Sequence, residues 1–499
     1  MPDLTRRHLL AGAALGVPAL VAAPVTATAR PRATDDTLRA ASDLLRRMRV
    51  PRVPDTVDGP VWSPLATGFA SVPTDELPAG AVGGLGGRVV TASTAAELAE
   101  HVAAEEPTVV LVEGAVELPL GTMLDVSSHT SVLGVGRGAA IVGGGLRLLE
   151  VHDVVIRNLT LRDSFLAGDW DGKHPDNDND GIRVDTSSHV WIDHCEFARI
   201  GDGQVDIRKD STHVTVSWSV FRDHNKTLGV GWTENLLTTL TLHHDRFSNT
   251  HQRNGSIDKV ALGHVYNCWL SGASSYGMAS RGGSQLLVEH SVFDSVRDPV
   301  GVSDDVSRVA QRGNLREGCW GKWDDTGIDG DPRDSYPYRA EPAHRVRELL
   351  ERHAGPSGRR ERPVRRLRVA QDGGGDVLSV HAAVGIAARL RRPVEITVEP
   401  GVYREVVTLW PGTDGVVVRG ATGDPADVVI SYDKPATDWA TVTVLAEGVT
   451  LASLTIENAY DEAVGGDRPA YPLRSADDSV ELDDVVLLGG PHEISDPRG

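Results

Sequence analysis

The chain has 499 residues, 40% of them hydrophobic, enough for one elongated core or several smaller ones. Fifty basic against seventy acidic residues leave a net charge of −20, which excludes a nucleic-acid partner because phosphate neutralisation needs a basic face. Three cysteines exclude a disulfide framework. Residues 1–29 read as a twin-arginine-type export signal. Arg6-Arg7 precede an apolar run, and Ala27-Thr28-Ala29 forms a small-residue cleavage site. Gly12, Gly16, Pro18 and Pro24 interrupt the run, so it spans a membrane poorly, and no later stretch is apolar enough to do so. The mature protein is expected to be secreted and extracellular, with residues 30–79 as an N-terminal extension.

Six eight-residue segments then share one template: 154–161, 190–197, 214–221, 240–247, 263–270 and 286–293. Their starts are 36, 24, 26, 23 and 23 residues apart. Positions 1 and 3 are apolar with the strand period of two, and so are positions 6 and 8. The extra residue between them flips the phase. Position 5 holds Asn158, His194, Trp218, His244, Asn267 and His290. Asn and His tolerate positive φ, so the spacing predicts a left-handed, one-residue bend between two strands. Strand, bend and strand repeated every ~23 residues is the pattern of a parallel β-helix. A doubly wound α/β sheet would need helical segments of ~10–15 residues between strands, and 154–293 has none. Cys195 and Cys268 both take inward position 6. Three rungs of ~4.8 Å separate them, too far for a disulfide.

The polar residues ahead of each segment carry the chemistry. Asp178 and Asp180 lie 12 and 10 residues before Val190, and Asp202 and Asp206 lie 12 and 8 before Val214. Lys226 lies 14 before Leu240, and Arg253 lies 10 before Gly263. A solenoid superimposes equivalent positions, so all six are predicted on one lateral face within roughly 14 Å. Four carboxylates without paired cations suit a hard, oxygen-seeking ion such as Ca²⁺. The run Asp176-x-Asp178-x-Asp180-Gly181 imitates the start of an EF-hand loop, but Ser187 stands at its twelfth position and a strand follows.

These residues resemble the pectate lyase family of polysaccharide lyases. The likeness rests on Asp153-Val-Val-Ile-Arg-Asn-Leu159, Asp180-Gly-Ile-Arg-Val-Asp185, Val190-Trp-Ile-Asp-His-Cys195 and Asp202-Gly-Gln-Val-Asp206. It continues through His224-Asn-Lys226, Gln252-Arg253 and Gly263-His264-Val265-Tyr266-Asn267, in order over about residues 80–352. It implies a right-handed, single-stranded parallel β-helix. It also implies Ca²⁺-dependent β-elimination on de-esterified homogalacturonan, giving 4,5-unsaturated products. By the same likeness Asp180, Asp202 and Asp206 are calcium ligands with Asp178 as a fourth, and Arg253 removes the proton α to the uronate carboxylate. Lys226 binds substrate acid groups, with His224 of the same motif counted beside it. The family pattern Arg-x-Pro-x-x-Arg is broken here, since Arg253-Asn-Gly255-Ser-Ile-Asp258 lacks the proline and the second arginine. Lys259 is the candidate replacement. The implied partner is polygalacturonate or pectin, with no nucleic acid and no membrane, and with the chain a monomer. Two alternatives stand beside this reading: a non-catalytic Ca²⁺-dependent pectin-binding protein, and a lyase for methylated pectin.

Residues 353–366, with Gly355, Pro356, Gly358 and the cluster Arg359-Arg360-Glu361-Arg362, have a linker's composition. The template returns at 449–456 and 480–487, and 380–391 has helical spacing, so residues 367–499 are predicted as a second, shorter β-helix opened by a capping helix. Val369-Ala-Gln-Asp-Gly-Gly-Gly-Asp376, Val398-Glu-Pro-Gly-Val-Tyr-Arg-Glu405 and Leu454-Thr-Ile-Glu-Asn458 resemble the first part of a pectin methylesterase. The catalytic Gln-Asp pair of that family would fall near 489–492, where neither residue stands, so a truncated domain without esterase chemistry is expected.

Overall fold

The structure is a computed structural model that describes residues 34–174, 177–357, 364–434, 440–460 and 470–498. The predicted leader, Asp176 and the basic cluster at 359–362 lie outside the described residues. No helix among the described residues is long and apolar enough to cross a membrane.

The template segments stack in register. Val154, Val190, Val214, Leu240, Gly263 and Leu286 form one column of partners along a ten-stranded parallel sheet. Asn158, His194, Trp218, His244, Asn267 and His290 all adopt the left-handed backbone, with φ between 47° and 58°. The chain turns there into a second parallel sheet of thirteen strands. That sheet supplies two lateral faces, because long strands such as Val220–Gly231 and Arg246–Asp258 run across both. The fold is therefore an all-β parallel β-helix, as its phase slips predict.

Inward positions make a continuous aliphatic core, crossed by the ring column Phe197, Phe221 and Phe247 with centroids 5.1 and 4.7 Å apart. Cys195 and Cys268 are buried free thiols in that core, and Cys319 is also free. The bend residues form a second column, in which the rings of His194, Trp218 and His244 stack and Trp62 of the N-terminal extension joins them at 3.6 Å from His194. The extension sheathes the ten-stranded sheet. The Phe69 and Ala70 amides donate to the Thr241 and Thr215 hydroxyls at 3.0 Å, satisfying groups on the sheet's outer face.

The second body repeats the bend. Ser453 and Asp484, position 5 of the two C-terminal templates, have φ of 50° and 55°. Its strands form parallel sheets of seven and four. Two segments tie it to the first body. The first part of the predicted linker is docked rather than free, since the Ser357 amide donates to Asn158 Oδ1 at 2.7 Å and the Gly355 amide to the Trp218 carbonyl at 2.6 Å. The predicted capping helix, Val380–Leu390, also lies against the first body. Arg389 binds Asp223 through both Nη atoms at 2.7 and 2.8 Å, and His381 Nε2 donates to the Asn249 carbonyl at 3.0 Å. Gly385 has no side chain where a Cβ would overlap Asp223 and Asn249. The helix is therefore buried on most sides because it is wedged between two bodies.

Candidate active site

The outward column of one lateral face runs Arg183, Asp206, Gly229, Ser256, Ala279 and Gly301, one residue per rung. Beyond Asp206 it is a floor of small residues. Lys226 stands three residues before Gly229 and Arg253 three before Ser256, so both cations border this floor on adjacent rungs. Asp206, Lys226 and Arg253 therefore lie along one face.

The carboxylates are arranged differently from the prediction of four unpaired acids. Arg183 Nε donates to Asp180 Oδ2 at 2.6 Å, while its Nη1 and Nη2 donate to Asp178 at 3.1 and 2.9 Å. Lys226 Nζ pairs with Asp202, and Arg253 Nη1 lies 4.0 Å from Asp206 Oδ2. Each acid thus leans on a cation. Sequence spacing missed Arg183, which is i+3 from Asp180 and emerges on the same face of the strand as Asp206. Among the described residues, the one group of three metal-binding side chains mutually within 4.8 Å is elsewhere: Asp58, His243 and His244 under the N-terminal extension.

Asp180 and Asp206 still approach closely, and the charge of Asp202 acts on both. The Gly203 amide donates to Asp180 Oδ1 at 2.8 Å, and a Cβ at Gly203 would lie 2.6 Å from Asp206 Oδ1 and 3.0 Å from Asp180 Oδ1. Only glycine lets these carboxylates approach across the turn. Burial raises the Asp180 carboxyl to about 6, with Arg183 opposing the rise and Asp202 adding to it. Burial, and then the charge of Asp180, raise Asp206 well above the carboxylate range. Asp206 Oδ1 is buried and has no hydrogen-bond partner. An oxygen-only donor set with raised carboxyls and an orphaned buried oxygen could hold a hard divalent cation at Asp180, Asp202 and Asp206. Asp178 fits less well, because its side chain is 72% exposed and held by Arg183.

Two substrate-contact expectations are corrected. His224 is buried, its Nε2 donates to the Asp202 carbonyl at 2.6 Å, and burial pushes its pKa down to about 4. It is a neutral prop for Asp202. Lys259 lies in the turn after strand Arg246–Asp258, at the opposite end of the outward face from Arg253, with its Nζ 3.9 Å from Glu234.

Arg253 itself has a left-handed backbone, φ 58°, uncommon for a residue with a Cβ and found where surrounding structure imposes it. Thr227 Oγ1 donates to the Arg253 carbonyl at 2.7 Å. The side chain reaches Trp232, whose ring centroid lies 5.4 Å from the guanidinium carbons of both Arg253 and Arg208. Trp232 is 46% exposed beside the small-residue floor, and a Cβ on Gly229 would meet it at 2.7 Å. Sequence reasoning passed over Trp232. Its signal was a tryptophan next to Gly229 and Gly231, which leave room for its ring.

The chain matches the profile of the family described as pectate lyase over residues 58–319. It is 40% identical over 211 residues to a pectate trisaccharide-lyase of Thermotoga maritima, a match covering 41% of this chain and 56% of that protein. It is 32% identical over 241 residues to pectate lyase A of Emericella nidulans, covering 46% and 68%. The chain thus spans just over half the length of its Thermotoga relative. Among solved structures, it is similar to a pectate lyase from Bacillus sp. N165 in complex with trigalacturonate. The TM-score is 0.50 and the identity 26%, over 58% of this chain and 98% of that one. A pectate lyase bound to a hexasaccharide, also with a TM-score of 0.50 but 19% identical, shares the fold.

Proposed function

This chain belongs to the pectate lyase family, and from that premise we propose that it is a secreted, monomeric, calcium-dependent lyase that cleaves de-esterified homogalacturonan by β-elimination. The observation that carries the reading is the single face on which Asp180, Asp202 and Asp206 adjoin Lys226 and Arg253 on successive rungs. Asp180, Asp202 and Asp206 would hold the ion, with Asp178 beside them. When bound, calcium supplies positive charge that neutralises a uronate carboxylate and acidifies the adjacent C–H. Lys226 binds the same class of carboxylate once it exchanges Asp202 for substrate. Arg253 removes the proton at C5, that electron pair forms the 4,5 double bond, and the C4–O bond breaks, its oxygen leaving with the bonding pair and taking a proton from water. Ordinary guanidinium is protonated, so the reaction demands local positive charge and alkaline conditions that favour the neutral base.

The small side chains of the floor, with half-exposed Trp232 and the cations along its border, suit an anionic sugar chain that enters from the side. The second body is proposed to be pectinesterase-like without esterase chemistry, because Gly489, Gly490, Pro491 and His492 stand where the catalytic Gln-Asp pair would be. The test is incubation with polygalacturonate while following ultraviolet absorbance of the unsaturated product, with and without a chelator. Absorbance that rises only with calcium supports the reading. No product at any calcium concentration refutes it.

A further inference from the structure

The loop between strands Thr160–Arg162 and Ile182–Asp185 carries Asp178 and Asp180, and the second body holds its middle. Trp170 is buried in an apolar cluster with Val406 and Tyr432. Its ring meets that of His381 edge-on, with centroids 4.8 Å apart. Asp171, the next residue, accepts from Arg404 Nη2 at 2.9 Å and from Lys434 Nζ at 3.0 Å. The same three-residue stretch leans on the candidate active site from the other side. The Trp170 carbonyl accepts from Asn225 Nδ2 at 2.7 Å, and Asn225 Oδ1 accepts from Gln252 Nε2 at 3.0 Å. Asn225 and Gln252 are the chain neighbours of Lys226 and Arg253. Gly172 abuts Asp202, since a Cβ there would lie 2.5 Å from Asp202 Oδ1.

We propose that the second body is a clamp for this site: Arg404, Val406, Tyr432 and Lys434 anchor Trp170 and Asp171, and through them position the acidic loop and the Asn225–Gln252 bridge. The physical need is clear from the loop's length. The described residues of 163–181 contain no helix or strand, and ordering such backbone costs conformational entropy at every residue. A buried indole and a largely buried carboxylate with two cationic partners offset part of that cost. The four anchoring residues are positioning residues, because they act on the site through Trp170 and Asp171. The clamp also gives the second body a role that needs no chemistry of its own.

The test uses the full chain as wild type, as the double variant Arg404→Ala/Lys434→Ala, and as Arg404→Lys. Hydrogen exchange is measured without added metal, so this arm does not depend on the calcium reading. Exchange across 163–181 should quicken at least ten-fold in the double variant, while peptides covering 203–217 keep their protection, and Arg404→Lys should stay near wild type. Calorimetric titration with Ca²⁺ then tests the coupling, which rests on that reading; affinity should weaken several-fold in the double variant. A quickened loop with no calcium binding in the wild type would retain the clamp and refute the calcium reading. Unchanged exchange across 163–181 would overturn the clamp. If the double variant loses protection in 203–217 as well, Asp171→Asn decides. It removes the same ion pairs from the loop side, and unchanged loop exchange in it overturns the proposal too.

Discussion

The two bodies are coiled by the same bend and differ in what their rungs present outward. In the first body the column Arg183, Asp206, Gly229, Ser256 and Ala279 places charge at one end and small residues after it. In the second, the column Arg368, Thr397, Arg419, Ala452 and Asp483 alternates charged and neutral residues without gathering one sign. The interiors differ as well. Buried Asp193 is satisfied by Arg157, His194 and Ser217, at 2.8, 2.7 and 2.7 Å. Buried Glu405 of the second body instead takes two backbone N–H groups at the start of helix Val380–Leu390, at 2.9 and 2.8 Å. The coil therefore sets where columns lie, and the residues placed in them set whether a site results.

The contrast breaks most sharply at Asp206. Asp206→Ala should abolish turnover of polygalacturonate at micromolar calcium and remove a calcium-binding event from calorimetry, with the thermal unfolding of the second body unaltered. Full activity of this variant in excess EDTA would mean that the first body's acidic column is only structural. Next in size is Arg253→Lys. Charge remains, but reach and fork geometry change, so kcat should fall by at least ~10² with a smaller change in KM. Equal turnover by variant and wild type would remove Arg253 from the role of base.

How far these outcomes could be foreseen from sequence differs between fold and site. The bends were legible because one inserted residue inverts an alternating pattern, and Asn and His at that residue mark positive φ. The shared face was legible because rungs superimpose similar offsets, here 8 to 14 residues before each segment. The pairing of Arg183 with Asp178 and Asp180 was not, since it depends on which way a loop folds back over its own strand. Nor was the burial of His224, because strand Val220–Gly231 is polar along much of its length and spacing does not say which polar side chains turn inward. The docking of Trp170 on Val406 and Tyr432 joins residues more than two hundred positions apart and leaves no local signal.

A smaller effect sharpens the comparison of interiors. Burial raises the Glu405 carboxyl from 4.5 to about 7, its two backbone donors opposing the rise. A raised acid stabilises the fold fully below its unfolded pKa, and that contribution is lost as pH rises through the folded pKa. The second body should therefore lose stability between about pH 4.5 and 7, by at most roughly 3 kcal/mol. Glu405→Gln should flatten that slope in denaturant titrations across pH, leaving the first body's slope alone. An unchanged slope would mean that Glu405 ionises in contact with water.

The smallest expected effect concerns Trp232, which tests whether the first body's outward face is organised beyond its charges. Arg253 reaches the floor from a strained backbone, with Asp206 at 4.0 Å and the Trp232 ring at 5.4 Å as its side-chain neighbours. A guanidinium over an indole at a partly exposed position gains about 1 kcal/mol, or roughly five-fold in an equilibrium or rate. Trp232→Ala should therefore lower kcat about five-fold by letting the guanidinium stray from the reacting carbon. Trp232→Phe keeps a ring with the same negative face and should recover most of the loss. If the ring instead bound sugar, alanine would raise KM and leave kcat unchanged. A packing role alone would lower the thermal midpoint of both variants and leave the kinetics of the folded fraction intact. The separation of kcat from KM, together with rescue by phenylalanine, distinguishes a residue that aims Arg253 from one that only fills space beside Gly229.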